Sequence, residues 1–176
     1  MDKPRTKTSR CTGFPPIASG DARVLILGSM PSVASLEKGQ YYGHPQNAFW
    51  PIMGRLFDAG PEVPYERRAS ILREEGVAVW DVLRQCERPG SLDTAIRIDS
   101  ERPNDFRTFF RNHPNIGTIF FNGQKAETAF RRHVLASVEV LRRDLRFVRL
   151  PSTSPAHAGR SFAEKLAAWR AVLRAL

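Results

Sequence analysis

Residues 23–29 read Arg-Val-Leu-Ile-Leu-Gly-Ser, and this run decides the fold class. Consecutive apolar residues closed by Gly-Ser are typical of a strand that is buried on both faces. Similar runs lie at 76–81, 117–123 and 147–150, and segments with helical spacing separate them. The alternation predicts an α/β fold, a three-layer α/β/α sandwich around a central, mostly parallel four-stranded sheet.

Five helices are predicted from the spacing of apolar residues. They span 46–57, 65–75, 103–112, 124–136 and the segment from Ser161 onward, where one stripe would hold Phe162, Leu166, Trp169, Val172 and Leu173. Asn47 is a predicted N-cap, and Ser32 is placed to cap a short helix. A helix N-cap is also the favoured interpretation of Asp81. Residues 84–102 are rich in turn formers and give no clear prediction.

The composition excludes several classes of protein. A content of 41% hydrophobic and 26% charged residues is a globular profile. No apolar run approaches the ~18 residues of a membrane span, and the polar start predicts no signal peptide. Two cysteines are too few for a disulfide framework, an all-cysteine zinc site or an iron–sulfur cluster. We expect a cytoplasmic, nucleoid-associated monomer with no membrane contact, no metal and no cofactor.

The charge distribution indicates a polyanionic partner. We expect one domain over residues 21–176, preceded by a flexible basic arm at 1–20. The formal net charge is +9, and from Lys125 onward eleven Lys and Arg face four Asp and Glu. This excess favours nucleic acid, and an ordinary charged surface is the alternative. The arginines of 131–149 would attract DNA less strongly as salt rises.

The strand ends are the candidate site, because ligands of parallel α/β sheets bind beyond the carboxyl ends of the strands. Four segments end strands or follow them: 28–32, Asp81 with its successors, Asn122-Gly123 and 151–157. The sequence has neither GxGxxG nor GxxxxGK[ST], so dinucleotide and P-loop sites lose support.

Two loops at these ends carry residues suited to nucleic acid. Residues 41–50 read Tyr-Tyr-Gly-His-Pro-Gln-Asn-Ala-Phe-Trp, and flat rings of this kind either stack on a base or fill the core. Residues 152–157 read Ser-Thr-Ser-Pro-Ala-His, whose hydroxyls suit phosphates and whose Pro-Ala pair suits a wedge between bases. A plain helix-initiation loop is the alternative.

Three runs, 28–32, 41–50 and 150–156, resemble the uracil-DNA glycosylase superfamily, and more narrowly its hypoxanthine-DNA (DNA-deoxyinosine) glycosylase branch. The resemblance covers about residues 21–175 and implies that superfamily's fold. It further implies a monofunctional DNA glycosylase of base-excision repair, which hydrolyses the N-glycosidic bond of deaminated bases in DNA, chiefly hypoxanthine. Mismatch-specific relatives carry a catalytic Asn where Met30 stands, and many relatives carry His or Asn at Ser152. Met30 cannot activate water, so the resemblance places the catalytic amide elsewhere. The departure at Ser152 implies weak activity on uracil.

The resemblance also implies roles for single residues. Asn47 would be the catalytic amide, and Tyr42 would stack on the flipped base. The backbone of Ser29 and Met30 would hold the edge of the base. Asn122 either reaches the same edge or is an ordinary turn residue before Gly123. The DNA-binding loop and wedge would be Ser152, Thr153, Ser154, Pro155, Ala156 and His157. A uracil or mismatch glycosylase on the same fold and a non-catalytic nucleic-acid-binding module are the alternatives.

Overall fold

The strands of the protein form two sheets. The computed structural model describes residues 10–176. The strands are β1 Arg10–Thr12, β2 Val24–Gly28, β3 Val77–Asp81, β4 Leu83–Glu87, β5 Arg102–Pro103, β6 Thr118–Asn122 and β7 Arg146–Leu150. A parallel sheet has the order β3-β2-β6-β7, and an antiparallel sheet has the order β1-β4-β5.

The parallel sheet is the predicted one. Every residue of β2 and of β3 is buried, so helices cover both faces of these two strands, as the apolar run at 23–29 required. Gly28 at the end of β2 pairs in register with Asp81 at the end of β3. Asn122 ends β6 beside Leu150 of β7. The carboxyl ends of all four strands therefore meet at one edge, and the predicted α/β sandwich is confirmed.

The helices agree with the predictions in place and differ in extent. They are α1 Val33–Lys38, α2 Phe49–Phe57, α3 Tyr65–Glu74, α4 Phe106–Asn112, α5 Gln124–His133, α6 Leu135–Glu139, α7 Phe162–Trp169 and α8 Ala171–Arg174. The single helix predicted over 124–136 breaks at Val134, whose φ of −123° is not helical. The predicted terminal stripe is half right, because Trp169 and Val172 are buried while Phe162 and Leu173 are exposed.

The caps of two helices follow the sequence. Ser32 accepts a hydrogen bond from the Ser35 backbone N–H and caps α1. Ser161 caps α7 in a reciprocal capping box with Glu164. No described helix is long and apolar enough to cross a membrane.

The second sheet corrects the predicted arm. Residues 1–9 of that arm lie outside the described residues. From Arg10 onward the chain belongs to the domain, because β1 pairs antiparallel with β4 and Ile17 forms a bridge with Val79. The pairing places Cys11 opposite Cys86, and both are buried.

The N-cap predicted at Asp81 is wrong. The chain continues into β4 after Val82, and no helix begins there. The Val82 N–H donates to the Gly28 carbonyl at 2.8 Å, and the Leu83 N–H donates to the Ser29 carbonyl at 3.1 Å. These two bonds keep the chain extended beside the exit of β2, and they leave the Asp81 side chain at the sheet edge.

Gly123 allows a close approach of two chain segments at this edge. Its φ is +91°, and a Cβ there would lie 2.9 Å from Ser152 Cβ. We expect Gly123→Ala to lower the free energy of unfolding by roughly 1–3 kcal/mol, from backbone strain and displacement of the 152 loop. Urea denaturation measures this loss.

Gly117→Ala is the matched control, because a Cβ at Gly117 has nothing within 4 Å. Its free energy of unfolding should stay within about 0.5 kcal/mol of the unsubstituted protein. Equal losses in the two variants would contradict the close approach at Gly123.

Candidate active site

A cavity of about 270 Å³ opens at the carboxyl edge of the parallel sheet. All four segments singled out from the sequence contribute to it. The predicted site residues that line it are Ser29, Met30, Tyr42, Asn47, Asn122, Ser152, Thr153, Ser154, Ala156 and His157. Its volume lies just below the roughly 300–1,000 Å³ of drug-sized pockets, which suits one nucleobase better than a dinucleotide.

A hydrogen-bonded clamp joins three sides of the cavity. Asn122 Nδ2 donates to Thr153 Oγ1 at 2.8 Å, and Asn122 Oδ1 accepts from the Thr153 N–H at 2.8 Å. The Thr153 carbonyl then accepts from the Ala48 N–H at 3.0 Å. The end of β6, the loop after β7 and the start of α2 are therefore fixed relative to one another, and Asn47 sits next to the last of these bonds.

Two predicted roles change because of this clamp. Thr153 is 1% exposed, so the structure corrects its predicted place on the DNA-binding surface: it positions the loop from inside. Asn122 lines the cavity, but both ends of its amide are bonded to Thr153. Its predicted contact with the base edge would have to share these atoms.

Asn47 faces the cavity from the start of α2. Its Oδ1 accepts from the Phe49 N–H at 2.9 Å. The N-cap of α2 is Ala48, one residue after the predicted position, so Asn47 lies just before the cap and its side chain bonds the first residue of the helix. A carbonyl oxygen has two lone pairs, so this bond fixes the orientation of the amide and leaves one acceptor position.

Tyr42 lines the cavity with one ring face already covered. Its ring lies 3.9 Å from that of Phe49 at an interplanar angle of 21°. The backbone of Tyr42 is left-handed, with φ of +54°. This conformation is uncommon for a non-glycine residue, and such residues cluster at functional sites. Burial raises the pKa of its phenol, which therefore remains neutral. Only the other face remains for the stacking role that the sequence predicted.

The carboxyl groups of Asp81 and Asp93 both line the cavity. Burial raises the pKa of Asp81 to about 8, the Asp93 carboxyl adds to the rise, and the Arg88 guanidinium opposes it. Burial also raises the pKa of Asp93, and a hydrogen bond from Ser29 opposes that rise. The Ser29 hydroxyl donates to Asp93 Oδ2 at 2.7 Å, which ties the loop after β2 to the segment at 91–94. Perturbed carboxyls in a cleft are typical of functional sites.

Sequence reasoning missed the wall formed by residues 91–94. This segment holds Ser91, Leu92, Asp93 and Thr94, all of which line the cavity. Arg88 fixes it from below, since its guanidinium donates to the carbonyls of Gly90 and Pro31. A short turn-rich stretch has no periodicity, so the one available signal was an acidic residue among turn formers, which is common on any surface.

The arginine-rich stretch lies away from the cavity. Lys125, in the first turn of α5, lines the cavity, whereas Arg132 follows about 10 Å further along the helix. Arg132, His133 and Lys125 all bond the buried carboxylate of Glu101. Burial alone would raise the pKa of Glu101, but the bonds from Lys125 and His133 hold it below its usual range. The residues that line the cavity therefore include Lys125 but no arginine of 131–149.

The exposed part of the late loop forms the rim. Pro155, Ala156 and His157 are exposed, and Ser154 holds them in a turn by accepting from the Ala156 N–H and the His157 N–H. The Lys165 ammonium donates to the His157 carbonyl at 2.8 Å.

Across residues 10–176, no group of His, Cys, Asp or Glu is arranged to hold a metal ion.

Comparison with known proteins identifies the family. The model of the uracil DNA glycosylase superfamily matches residues 15–176. The chain belongs to this superfamily. A curated member, the hypoxanthine DNA glycosylase of Methanosarcina barkeri, is 36% identical over 115 residues, or 65% of this chain and 72% of the relative. The hypoxanthine DNA glycosylase of Methanosarcina acetivorans is 37% identical over 115 residues, with the same coverage.

A solved structure of the superfamily has the same fold. It is the solution NMR structure of a candidate uracil DNA glycosylase from Methanosarcina acetivorans, with a TM-score of 0.75 and 31% identity. The match covers 94% of this chain and 99% of that chain. The resemblance seen in the sequence motifs is thereby confirmed.

The clamp at Thr153 can be tested by a change of one atom. Thr153→Val keeps the shape but leaves the half-buried Asn122 Nδ2 without its partner. We expect the free energy of unfolding to fall by about 1–3 kcal/mol. Thr153→Ser keeps the hydroxyl and should lose only about 1 kcal/mol, from the missing methyl. Chemical denaturation compares the two, and a valine variant at least as stable as the serine variant would show that the clamp is not needed.

Proposed function

We propose that this protein is a monofunctional DNA glycosylase that releases hypoxanthine from deoxyinosine sites in base-excision repair. One observation carries the proposal: Asn47, in the run Tyr-Tyr-Gly-His-Pro-Gln-Asn-Ala-Phe-Trp, faces a cavity sized for a single base. Membership of the superfamily makes the chain a DNA glycosylase, and the two curated relatives are named for hypoxanthine.

The reaction requires the nucleotide to leave the duplex. The glycosidic bond and the base edge are hidden in stacked DNA, so glycosylases extrude the nucleotide into a pocket. In our proposal the rim at 154–157 contacts the backbone, and Pro155-Ala156 enters the space left in the stack. Their exposure at the mouth of the cavity supports this role. The basic surface at 131–149 attracts the DNA beforehand.

Bond cleavage needs a placed water and a stabilised sugar cation. The bond from C1′ to the purine nitrogen breaks, the water oxygen joins C1′, and a water proton ends on the base. Asn47 Oδ1 orients this water and faces the developing positive charge with the lone pair that Phe49 does not use. An amide stays unprotonated at neutral pH, so it positions the water without acting as a strong base.

The lysines near the site support hydrolysis by water. A Schiff-base route needs a neutral amine at C1′. The Lys125 ammonium lines the cavity but is paired with the buried carboxylate of Glu101. The Lys38 ammonium donates to the Gly43 carbonyl at 2.7 Å. Both amines are thus engaged as charged donors, which favours the monofunctional route.

Two positions favour hypoxanthine over uracil. Met30 is buried at the cavity wall, where mismatch-specific relatives would place a catalytic amide. Ser152 stands where many relatives carry a His or Asn, so no imidazole there stabilises a departing uracil anion. We also propose that the protein acts as a monomer on the nucleoid in the cytoplasm, since one chain supplies every group named above.

A lesion panel tests the proposal. Duplexes with hypoxanthine, xanthine or uracil are incubated with the protein, and abasic sites are cut and counted. We expect hypoxanthine to be released fastest and uracil slowly. Asn47→Ala and Asn47→Ser should each slow release by roughly 100- to 1,000-fold while duplex binding persists. The hydroxyl of the serine variant can still accept from the Phe49 N–H, so the loss of rate in this variant reports on the carboxamide itself.

Asn112→Ala is the control, because Asn112 is exposed at the end of α4 and should leave the rate unchanged. Uracil release equal to or faster than hypoxanthine release would instead favour the uracil or mismatch glycosylase. Duplex binding without release of any base would favour a non-catalytic binding module.

A further inference from the structure

The floor of the cavity contains a carboxyl group that the reaction scheme above does not use. Asp81 ends β3, lines the cavity and is 4% exposed. Its Oδ2 is buried, and no group of residues 10–176 forms a hydrogen bond with it. The buried Tyr42 hydroxyl also lies on the cavity wall, close to the Asn122 amide. A buried carboxyl with an unfilled bond is costly, so its persistence beside a cavity indicates that a water molecule or a ligand completes the bonding there.

The backbone of β2 makes room for these groups. A Cβ on Gly28 would collide with Asp81 Oδ1 and lie 3.0 Å from the Tyr42 hydroxyl. Both polar groups therefore approach the same point above a residue that has no side chain. The floor is consequently polar, while the ring of Tyr42 provides a flat neighbour.

Acidic, basic and phenolic side chains surround Asp81. Asp93 comes from the segment at 91–94, Arg88 from the end of β4, and Tyr41 and Tyr42 from the loop after α1. Burial is the largest influence and raises the pKa of Asp81 to about 8, which outweighs the guanidinium of Arg88. The carboxyl is therefore mostly a neutral acid at neutral pH. A neutral acid carries one O–H donor beside one carbonyl acceptor.

This pair of groups matches one edge of a deaminated base. Hypoxanthine presents an N1–H donor beside the O6 acceptor, and uracil presents an analogous N–H and C=O pair. A neutral carboxyl can donate to the base oxygen and accept from the base N–H at once. An ionised carboxylate has acceptors only and would repel the base oxygen. The protonation state thus decides whether the floor accepts such an edge.

We propose that Asp81 is a base-binding residue, which in its acid form holds the N–H and C=O edge of the extruded base by two hydrogen bonds. This inference rests on the proposed function for the origin of the base. It assigns the base edge to a side chain of β3, in addition to the backbone of Ser29 and Met30. Asp81 then supplies binding, while Asn47 keeps its role at the sugar.

Two substitutions separate the acid from the carboxylate. Asp81→Asn retains a donor and an acceptor of similar shape without an ionisable group. Single-turnover release of hypoxanthine should stay within about threefold of the unsubstituted rate near pH 7. Asp81→Leu and Asp81→Ala offer neither bond and should lose roughly 10- to 100-fold. Asp99→Asn, at an exposed carboxylate, should change nothing.

The pH dependence provides an independent readout. The unsubstituted protein should release hypoxanthine more slowly as pH rises through about 8, as Asp81 ionises, relative to Asp81→Asn. The asparagine variant also controls for ionisation of the base itself. The stability of the folded protein should also fall as pH rises. The folded state retains a proton that the unfolded carboxyl loses near pH 4, so the melting temperature should fall relative to Asp81→Asn between about pH 4 and 8.

The outcomes are distinct. The proposal is overturned if Asp81→Asn loses as much rate as the leucine and alanine variants, or if those variants match the unsubstituted protein. If the leucine and alanine variants do not fold, parallel pH–rate profiles of the unsubstituted protein and Asp81→Asn overturn it instead. If hypoxanthine is never released, the proposed function fails. The inference is then tested separately by binding of free hypoxanthine. The rise in melting temperature that this base causes is compared between the unsubstituted protein and Asp81→Asn across pH.

Discussion

The amide of Asn122 holds the candidate active site together, because it joins the end of β6 to the loop after β7 through two hydrogen bonds to Thr153. Thr153 passes this constraint to the start of α2 through the Ala48 N–H. The clamp sets where Asn47 points, although Asn122 and Asn47 belong to different strand–loop units. Gly123 permits it, since any side chain there would push the late loop away.

The carboxyl edge of the parallel sheet carries polar residues that lower stability but can bind a ligand. β3 and β6 are mostly apolar along their length and end in Asp81 and Asn122, which a purely structural sheet would replace with apolar residues. Asn122 satisfies its polar atoms within the protein, whereas Asp81 leaves one of its oxygens unpaired within the described residues. Native proteins retain such unpaired buried groups mainly where a substrate or water completes the bonding. The difference separates a positioning residue from one that faces a ligand.

The sequence was most informative where signals are local. Apolar runs at 23–29, 76–81 and 117–123 located three strands of the parallel sheet. The rule that ligands bind beyond the carboxyl ends of parallel strands then located the cavity. The second sheet was beyond such reasoning, because Arg10–Thr12 pairs with residues more than seventy positions away. The wall at 91–94 was missed because it is held by Arg88 and Ser29, contacts that no spacing reveals. Thr153 likewise has the composition of an ordinary helix-initiation loop, and its buried position is a tertiary effect.

The most direct measurement is a crystal structure of the Asn47→Ala variant bound to a duplex that contains one deoxyinosine. The account predicts an extruded hypoxanthine inside the cavity, its N1 and O6 edge towards Asp81, and its C1′ beside the position of the missing carboxamide. A nucleotide that stays stacked in the duplex, or a base bound outside this cavity, would contradict it.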